Sequence, residues 1–429
     1  MSHIHRDSPP CNKSEVDLFS VPPTQTAIEE SQFIVLSPIN SVSGITTTPI
    51  EFIVSPSAEH FLDLSSANLY LKIKLVNSDG SDLPTDYNVC PESNFLHTFF
   101  SQIQLFLNEK KVSSSSTHYA YRAYIEKLIN YSITSKRTHL KTSGYIPVAE
   151  RSEHENDCRS NKSKIFEYYG KLHGDIFQQS NLLLNSVELR LRMLRAPSTF
   201  CLNVGLNSIS KEPIVTILES ELHIRRVKVS THVYLGIERY LTNHTAKYPL
   251  NRVETRSFIV TSGLTFKSLN NIVSGTIPHK VIVGLLPHEA ELGDYSLSSL
   301  HFIHSDLTRI GLYLNGAPVV KPYELDFTSD NKCYMRAYYD LFNSNGFIGN
   351  NSNGITPEEY LKNCTLFSYD LSPDQCSNFF SHVNPIKQGE LTLKLQFKKP
   401  LPNPITVLFY LEYIDLLEIT KSRNILYEV

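Results

Sequence analysis

From Ser101 to Asn108 the chain reads SQIQLFLN, and its apolar positions alternate. Ile103, Leu105 and Leu107 fall on one face of an extended segment and Gln102, Gln104 and Phe106 on the other, which predicts a half-buried strand. A turn follows. Beyond it Tyr121, Tyr124, Ile125, Leu128 and Ile129 recur at i, i+3, i+4, i+7 and i+8, the single apolar stripe of an amphipathic helix. The pattern then returns in the second half of the chain. Arg309 to Gly316 reads RIGLYLNG, alternates through Ile310, Leu312 and Leu314, and ends on Asn315-Gly316, a dipeptide suited to a tight hairpin. A second helix is predicted around Tyr334 to Phe342.

The two stretches align with little drift. Ile310 stands 207 positions after Ile103, Arg336-Ala337-Tyr338 stands 214 after Arg122-Ala123-Tyr124, and the alternating strand Leu391 to Phe397 stands 204 after Val187 to Met193. Three landmarks in one order at nearly one offset imply a duplicated, mostly β unit of about two hundred residues. Further strands are predicted over Gln32 to Leu36, Pro49 to Val54, Ala67 to Val76, Ile165 to Tyr169, Ile214 to Val229, Thr255 to Thr261, Lys280 to Leu286 and Ile405 to Ile414. Asn77 to Asn88, the charged stretch Glu150 to Lys164 and the Gly/Asn/Ser-rich stretch Asn343 to Gly354 read as exposed loops, and Ser113 to Ser116 as a loop tip. The expected organisation is an N-terminal arm over 1–28, a first unit over 29–232, a connector over 233–252 with one helical segment near Leu235 to Leu241, a second unit over 253–420 and a tail over 421–429. Short strands, long loops and few helices indicate two-sheet antiparallel sandwiches. The pattern alone does not separate a jelly roll from other sandwiches.

Composition narrows the function classes. With 429 residues, 48.8 kDa and 41 % apolar content there is room for two or three domains. A formal net charge of -3 excludes bulk attraction to nucleic acid but not a local basic patch; none is obvious in the sequence, and no sequence-specific nucleic-acid binding is expected. No apolar run approaches a secretory signal or the roughly 20 residues of a membrane span. The 7 cysteines lie far apart with no Cys-x-x-Cys pair, as in a reducing compartment where cysteine acts as a small core residue.

Catalytic templates fail on stated requirements, so an enzyme, a cofactor and a metal are not expected. No Gly-x-Ser-x-Gly elbow occurs, and Gly311 to Gly316 lacks the Lys-Ser/Thr of a phosphate loop. The His-x-His of a metal-binding jelly roll occurs only at His3 and His5, in the arm; His301 and His304 read as ordinary polar histidines. Glu126 and Glu109 read as charges on a solvated face. Arg122 and Arg336, which recur in the duplicated helix, allow two readings: a stem laid over apolar surface, which is favoured, or a buried pair between units or subunits.

Phe100 to Tyr131, FSQIQLFLNEKKVSSSSTHYAYRAYIEKLINY, resembles the signature of the major capsid proteins encoded by Polinton (Maverick) elements and adintoviruses. Further stretches are similar to that family's motifs: Ala246 to Arg252 (AKYPLNR), Val281 to Leu286, Thr365 to Asp374 (TLFSYDLSPD), and Leu411 to Ile425 with Ser422-Arg423-Asn424. The resemblance covers about Phe52 to Ile425. After Gly293-Asp294-Tyr295 the chain departs from it, reading SLSSLHF where the family tends to carry Asn-Pro-Phe-Asn-Phe.

The resemblance implies an all-β double jelly roll, two eight-stranded antiparallel sandwiches side by side with short decorating helices. It implies hexon-like, pseudo-hexagonal homotrimers that tile an icosahedral virion capsid, with a penton or vertex minor capsid protein as partner and assembly in the nucleus without secretion. The residues of these stretches expected to be structural are Asn108, Tyr121, Arg122, Tyr124, Tyr248, Pro249, Arg252, Pro373 and Arg423, and the repeat adds Asn315, Gly316, Arg336 and Tyr338. The alternatives are a genome-integrated binding protein retained by a host, a minor vertex capsid protein, and a metal-dependent jelly-roll enzyme.

Overall fold

A computed structural model of the chain describes residues 7–8, 11, 14–41, 48–84, 87–113, 116–160, 164–205, 212–328, 332–346, 353–377 and 383–427. His3 and His5, the middle of the serine tip and positions 347–352 of the Asn/Gly loop lie outside the described residues. In chain order the first half carries β1 (Ile28–Leu36), β2 (Ile50–Val54), β3 (His60–Asn77), β4 (Val89–Pro91), α1 (Phe95–Thr98), β5 (Phe100–Leu107), β6 (Lys110–Lys111), α2 (Tyr119–Asn130), α3 (Ile133–Arg137), α4 (Arg151–Ser160), β7 (Ile165–Lys171), β8 (Leu189–Arg195), α5 (Ser198–Cys201), β9 (Leu202–Val204), β10 (Pro213–Val229) and α6 (Thr231–Tyr240). The second half carries β11 (Ala246–Val260), β12 (Phe266–Thr276), β13 (Lys280–Pro287), α7 (His288–Leu292), β14 (Leu307–Leu314), β15 (Ala317–Pro318), β16 (Tyr323–Glu324), α8 (Met335–Asn343), α9 (Pro357–Asn363), β17 (Leu366–Asp370), β18 (Gln388–Phe397), β19 (Ile405–Ile419) and β20 (Ile425–Leu426).

Two four-stranded sheets, ordered β1-β10-β3-β7 and β2-β8-β5-β6, make the first sandwich. The second repeats that order as β11-β19-β13-β17 and β12-β18-β14-β15, with β16 and β20 added at β14 and β19. The eight strands of the repeated path correspond one to one between the halves and pair antiparallel; a separate β4-β9 pair belongs to the first half alone. This is an all-β double jelly roll with short helices.

Local chemistry repeats with the topology. Asn108-Glu109 and Asn315-Gly316 turn their hairpins with both residues left-handed, at φ 44 and 66 and at φ 50 and 83. Glycine makes that conformation inexpensive in the second copy; in the first, Glu109 adopts it at a steric cost. Each asparagine also pins the neighbouring strand. Glu188 N–H donates to Asn108 Oδ1 at 2.8 Å, and Glu390 N–H donates to Asn315 Oδ1 at 2.9 Å. Alternation reads as expected along β3, where Leu69, Leu71, Ile73 and Leu75 are buried.

Three expectations change. Glu150 to Lys164 is not an exposed loop: it contains α4, and both Cys158 and Lys164 are buried. The connector carries its helix earlier, over Thr231–Tyr240, and β11 starts at Ala246 rather than near Thr255. Most consequential, α2 is not striped. Every residue from Tyr119 to Ile129 is buried, because the helix lies between the two cores: the apolar positions of the predicted stripe pack into the second, and its polar face is closed by His173, Asp175 and Gln178 of the first half with Tyr410 of the second.

The hydrophobic cores interlock. Tyr119 and Ala123 of α2 belong to the first core, while Tyr121, Tyr124, Ile125 and Leu128 belong to the second. In return Tyr248, Leu250, Leu417, Ile419, Ile425 and Tyr427, from the second half, complete the first core. The segment Ser296 to Phe302 supplies Leu300 and Phe302, each 0 % exposed, to the second core. Among the described residues no helix is long and apolar enough to cross a membrane.

Candidate functional site at the seam between the sandwiches

The polar centre of the molecule lies where α2 meets the second sandwich. Glu126 sits one turn after Arg122, so the two side chains share a helix face, and Arg122 Nε donates to Glu126 Oε1 at 2.9 Å. Arg122 Nη1 reaches Asp175 Oδ1 at 2.7 Å. Asp175 Oδ1 accepts in turn from Val253 N–H of β11 at 3.1 Å, which carries the network across to the second half. On the other carboxylate oxygen, Glu126 Oε2 lies 2.6 Å from His173 Nδ1 and accepts from Gln178 Nε2 at 2.6 Å. Tyr410 of β19 stands 3.5 Å from Glu126 Oε1.

Burial sets the electrostatics. It would raise the Glu126 carboxyl, but the Arg122 guanidinium and the His173 ring overcome it and hold the group at about 2. Burial also raises Asp175, an effect Arg122 only partly offsets. His173 is lowered by burial despite Glu126, and His97, whose ring meets that of His173 edge-on at 4.7 Å, is lowered further by burial and by Lys127. Both imidazoles are therefore neutral at pH 7, so His173 Nδ1–H is the donor to the ionised Glu126. Lys127, pushed far down by burial, donates to Asn94 Oδ1 at 2.8 Å and Ser143 Oγ at 2.6 Å.

Around this cluster further bonds fasten the halves. Lys136 Nζ donates to Leu128 O and Asn353 O, both at 2.6 Å, and Arg151 donates to Ser298 Oγ at 3.1 Å while contacting His301. Glu291, held at about 2 by its hydrogen bonds to His118 and Thr406 against the opposing effect of burial, links α7 to the turn before α2.

The residues singled out by sequence fall into distinct places. Tyr121 and Tyr124 lie in the seam, both with rings against Phe302. Arg122 is the buried pair, not a stem over apolar surface, and Glu126 is buried rather than solvated. Tyr248 OH bridges Leu184 N–H and Leu182 O at 3.1 Å each, while the adjacent Pro249 is exposed on β11. Arg252 pairs with Glu254 and with Asp415 at 3.0 Å, over the Tyr413 ring. Arg423 fastens the tail to the first half through Asn185 O at 3.0 Å and Glu238, and its own carbonyl accepts from Asn108 Nδ2 at 2.8 Å. Asn315 and Gly316 form the hairpin tip. Tyr338 donates to Ile355 O at 2.7 Å, Pro373 sits in an exposed turn, and Arg336 lies 48 % exposed over the Tyr323 ring. His304 stacks on Phe327, and His301, pushed down to about 3 by burial and by Arg151, faces that guanidinium. Sequence reading missed His97, Lys127, His173 and Asp175. The Arg122–Glu126 spacing was the available signal, but nothing local announces that His173, Asp175 and Tyr410 will close over it.

No protein-family model matches the chain. An uncharacterized protein of Caenorhabditis elegans is 23 % identical over 427 residues, covering 94 % of this chain and 98 % of the relative. Among solved structures, that of the Sputnik virophage matches 100 % of this chain and 94 % of its own with a TM-score of 0.64 at 9 % identity. The PBCV-1 virus capsid matches 96 % and 100 % with a TM-score of 0.60 at 8 % identity. The mavirus major capsid protein matches 100 % and 97 % with a TM-score of 0.53 at 9 % identity. The fold is therefore that of double jelly-roll viral major capsid proteins.

Proposed function

We propose that this chain is a viral major capsid protein of the Polinton/adintovirus type, forming pseudo-hexagonal homotrimers that tile an icosahedral shell. The observation that carries the reading is the duplication itself. Two sandwiches with one strand order, locked side by side, give a trimer six near-equivalent corners, which lets three chains fill a six-coordinated position. Full-length agreement in fold with virophage and PBCV-1 capsid structures supports it. In this reading the two sandwiches are the two jelly rolls, the second opening with β11 at Ala246, α6 and the turn after it join them, the tail ties the second to the first, and the 1–28 arm serves assembly. The function is structural rather than catalytic, with a penton protein as the further partner and the virion as the location. On β1, at the edge of its sheet, Phe33 and Val35 are 62 % and 53 % exposed in the single chain, apolar surface that assembly would cover.

A second reading, a genome-integrated binding protein retained by a host, is favoured by the equally long relative in an animal, Caenorhabditis elegans. Negative-stain electron microscopy of the purified chain separates the two. Three-chain pseudo-hexagonal particles support the capsomer; single-chain globules at all concentrations overturn it and leave the host protein.

A further inference from the structure

Away from the seam, a thiol and imidazole cluster joins α4 to β4. His154 and Cys158 are four residues apart on α4, so their side chains leave the same face, and Cys90 of β4 stands opposite. Cys158 Sγ lies 2.8 Å from Cys90 Sγ and 3.4 Å from His154 Nε2, and one ligand atom from each residue lies within 4.8 Å of the other two. Both cysteines are buried, at 5 % and 2 % exposure, and His154 is half-buried at the rim.

We propose that Cys90, His154 and Cys158 bind a divalent, tetrahedrally coordinated metal ion, zinc foremost, through two thiolates and one imidazole. Sulfur and imidazole nitrogen in one compact site match zinc, and three protein ligands leave a fourth position for water on the rim side. On binding, two thiol protons leave and two metal–sulfur bonds form, with no change of oxidation state. A metal would hold the sulfurs about 3.8 Å apart, from bonds of about 2.3 Å, so the pair opens by about 1 Å, within the reach of side-chain rotation. The competing outcome, a Cys90–Cys158 disulfide, uses only two of the three groups and leaves the facing imidazole unexplained. Bound metal would staple α4 to the first sandwich. Because α4 begins at Arg151, which donates to Ser298 of the second half, the staple also steadies one strut of the seam.

The test uses the full chain purified under reductant, loaded with zinc or cobalt(II) and freed of excess. One ion per chain by mass spectrometry, and a sulfur-to-cobalt charge-transfer band, are expected. Both should vanish in Cys158→Ser and weaken in His154→Ala, but persist in Cys333→Ser, which alters an exposed cysteine. Metal that stays in Cys158→Ser is adventitious and overturns the proposal, as does a wild-type chain that takes up none. Should Cys158→Ser not fold, thiol alkylation of the wild type decides: zinc must shield Cys90 and Cys158 and a chelator must unshield them. Shielding indifferent to chelator, or recovery of the two as a disulfide in zinc-loaded protein, overturns the site.

Discussion

The duplicated helices α2 and α8 carry the same short motif, Arg-Ala-Tyr, and the same ion-pair spacing, yet they ended in opposite environments. In α2, Arg122 and Glu126 pair at 2.9 Å with side chains 9 % and 2 % exposed. In α8, Arg336 and Asp340 stand 3.8 Å apart with side chains 48 % and 28 % exposed. Burial in α8 is confined to one stripe through Ala337 and Leu341, whereas α2 is buried on every side. α2 lies between the two cores, whereas one face of α8 meets water. The same charges act differently in the two surroundings. In water an i, i+4 pair is screened and nearly neutral in its effect, while in a dry interior each partner depends on the other.

The sharpest way to break this comparison is to remove the arginines one at a time. Arg122→Leu leaves Glu126 and Asp175 buried without their cation and should destabilise by about 3–5 kcal/mol in denaturant unfolding. Arg336→Leu should change stability by about 1 kcal/mol or less. Equal losses would mean that burial of α2 does not govern the pair.

A backbone version follows at the same seam. Gly354, at φ 77, would place a Cβ 2.5 Å from the Ile133 side chain of α3, whereas Gly316, at φ 83 on the exposed hairpin, would meet nothing. Both alanine variants bear the left-handed penalty of about 1–2 kcal/mol. Only Gly354→Ala should add a packing loss on top, seen as a lower thermal midpoint than Gly316→Ala.

Acid should loosen α2 before α8. His97 and His173 are depressed below the ordinary value of 6.5, so below that pH the unfolded chain takes up protons that the folded chain refuses. Stability is then present above pH 6.5 and falls as pH drops beneath it, by at most about 1.4 kcal/mol per pH unit for each proton. Glu126, lowered from 4.5 to about 2, adds a further loss as pH falls through that range. Unfolding midpoints between pH 7.5 and 5.5 measure the histidine part; His97→Gln with His173→Gln should flatten the slope, and an unchanged slope would sink the assignment.

The smallest effect is expected at Tyr338. Its hydroxyl bond to Ile355 O is worth about 1 kcal/mol, so Tyr338→Phe should cost no more than that.

Sequence by itself determined what repeats along one chain segment. Alternation over Ser101 to Asn108 and Arg309 to Gly316, the Asn-Gly turn and the three offsets revealed the strands and their duplication, because strand period and turn chemistry are local properties. The tertiary structure alone decided what lies on the far side of each element. Arg122, Glu126 and Lys127 look like a wet helix face until Asp175, His173, Asn94 and Ser143 of the first half and Tyr410 of β19 close over them, and Cys158 looks like part of a polar loop until α4 turns it toward Cys90. His173 and Asp175 meet α2 from about fifty residues away, and Val253 from farther still. A pattern of residues records which face of an element is apolar. Whether a polar face meets water or a second domain depends on contacts between distant parts of the chain, and no local period encodes them.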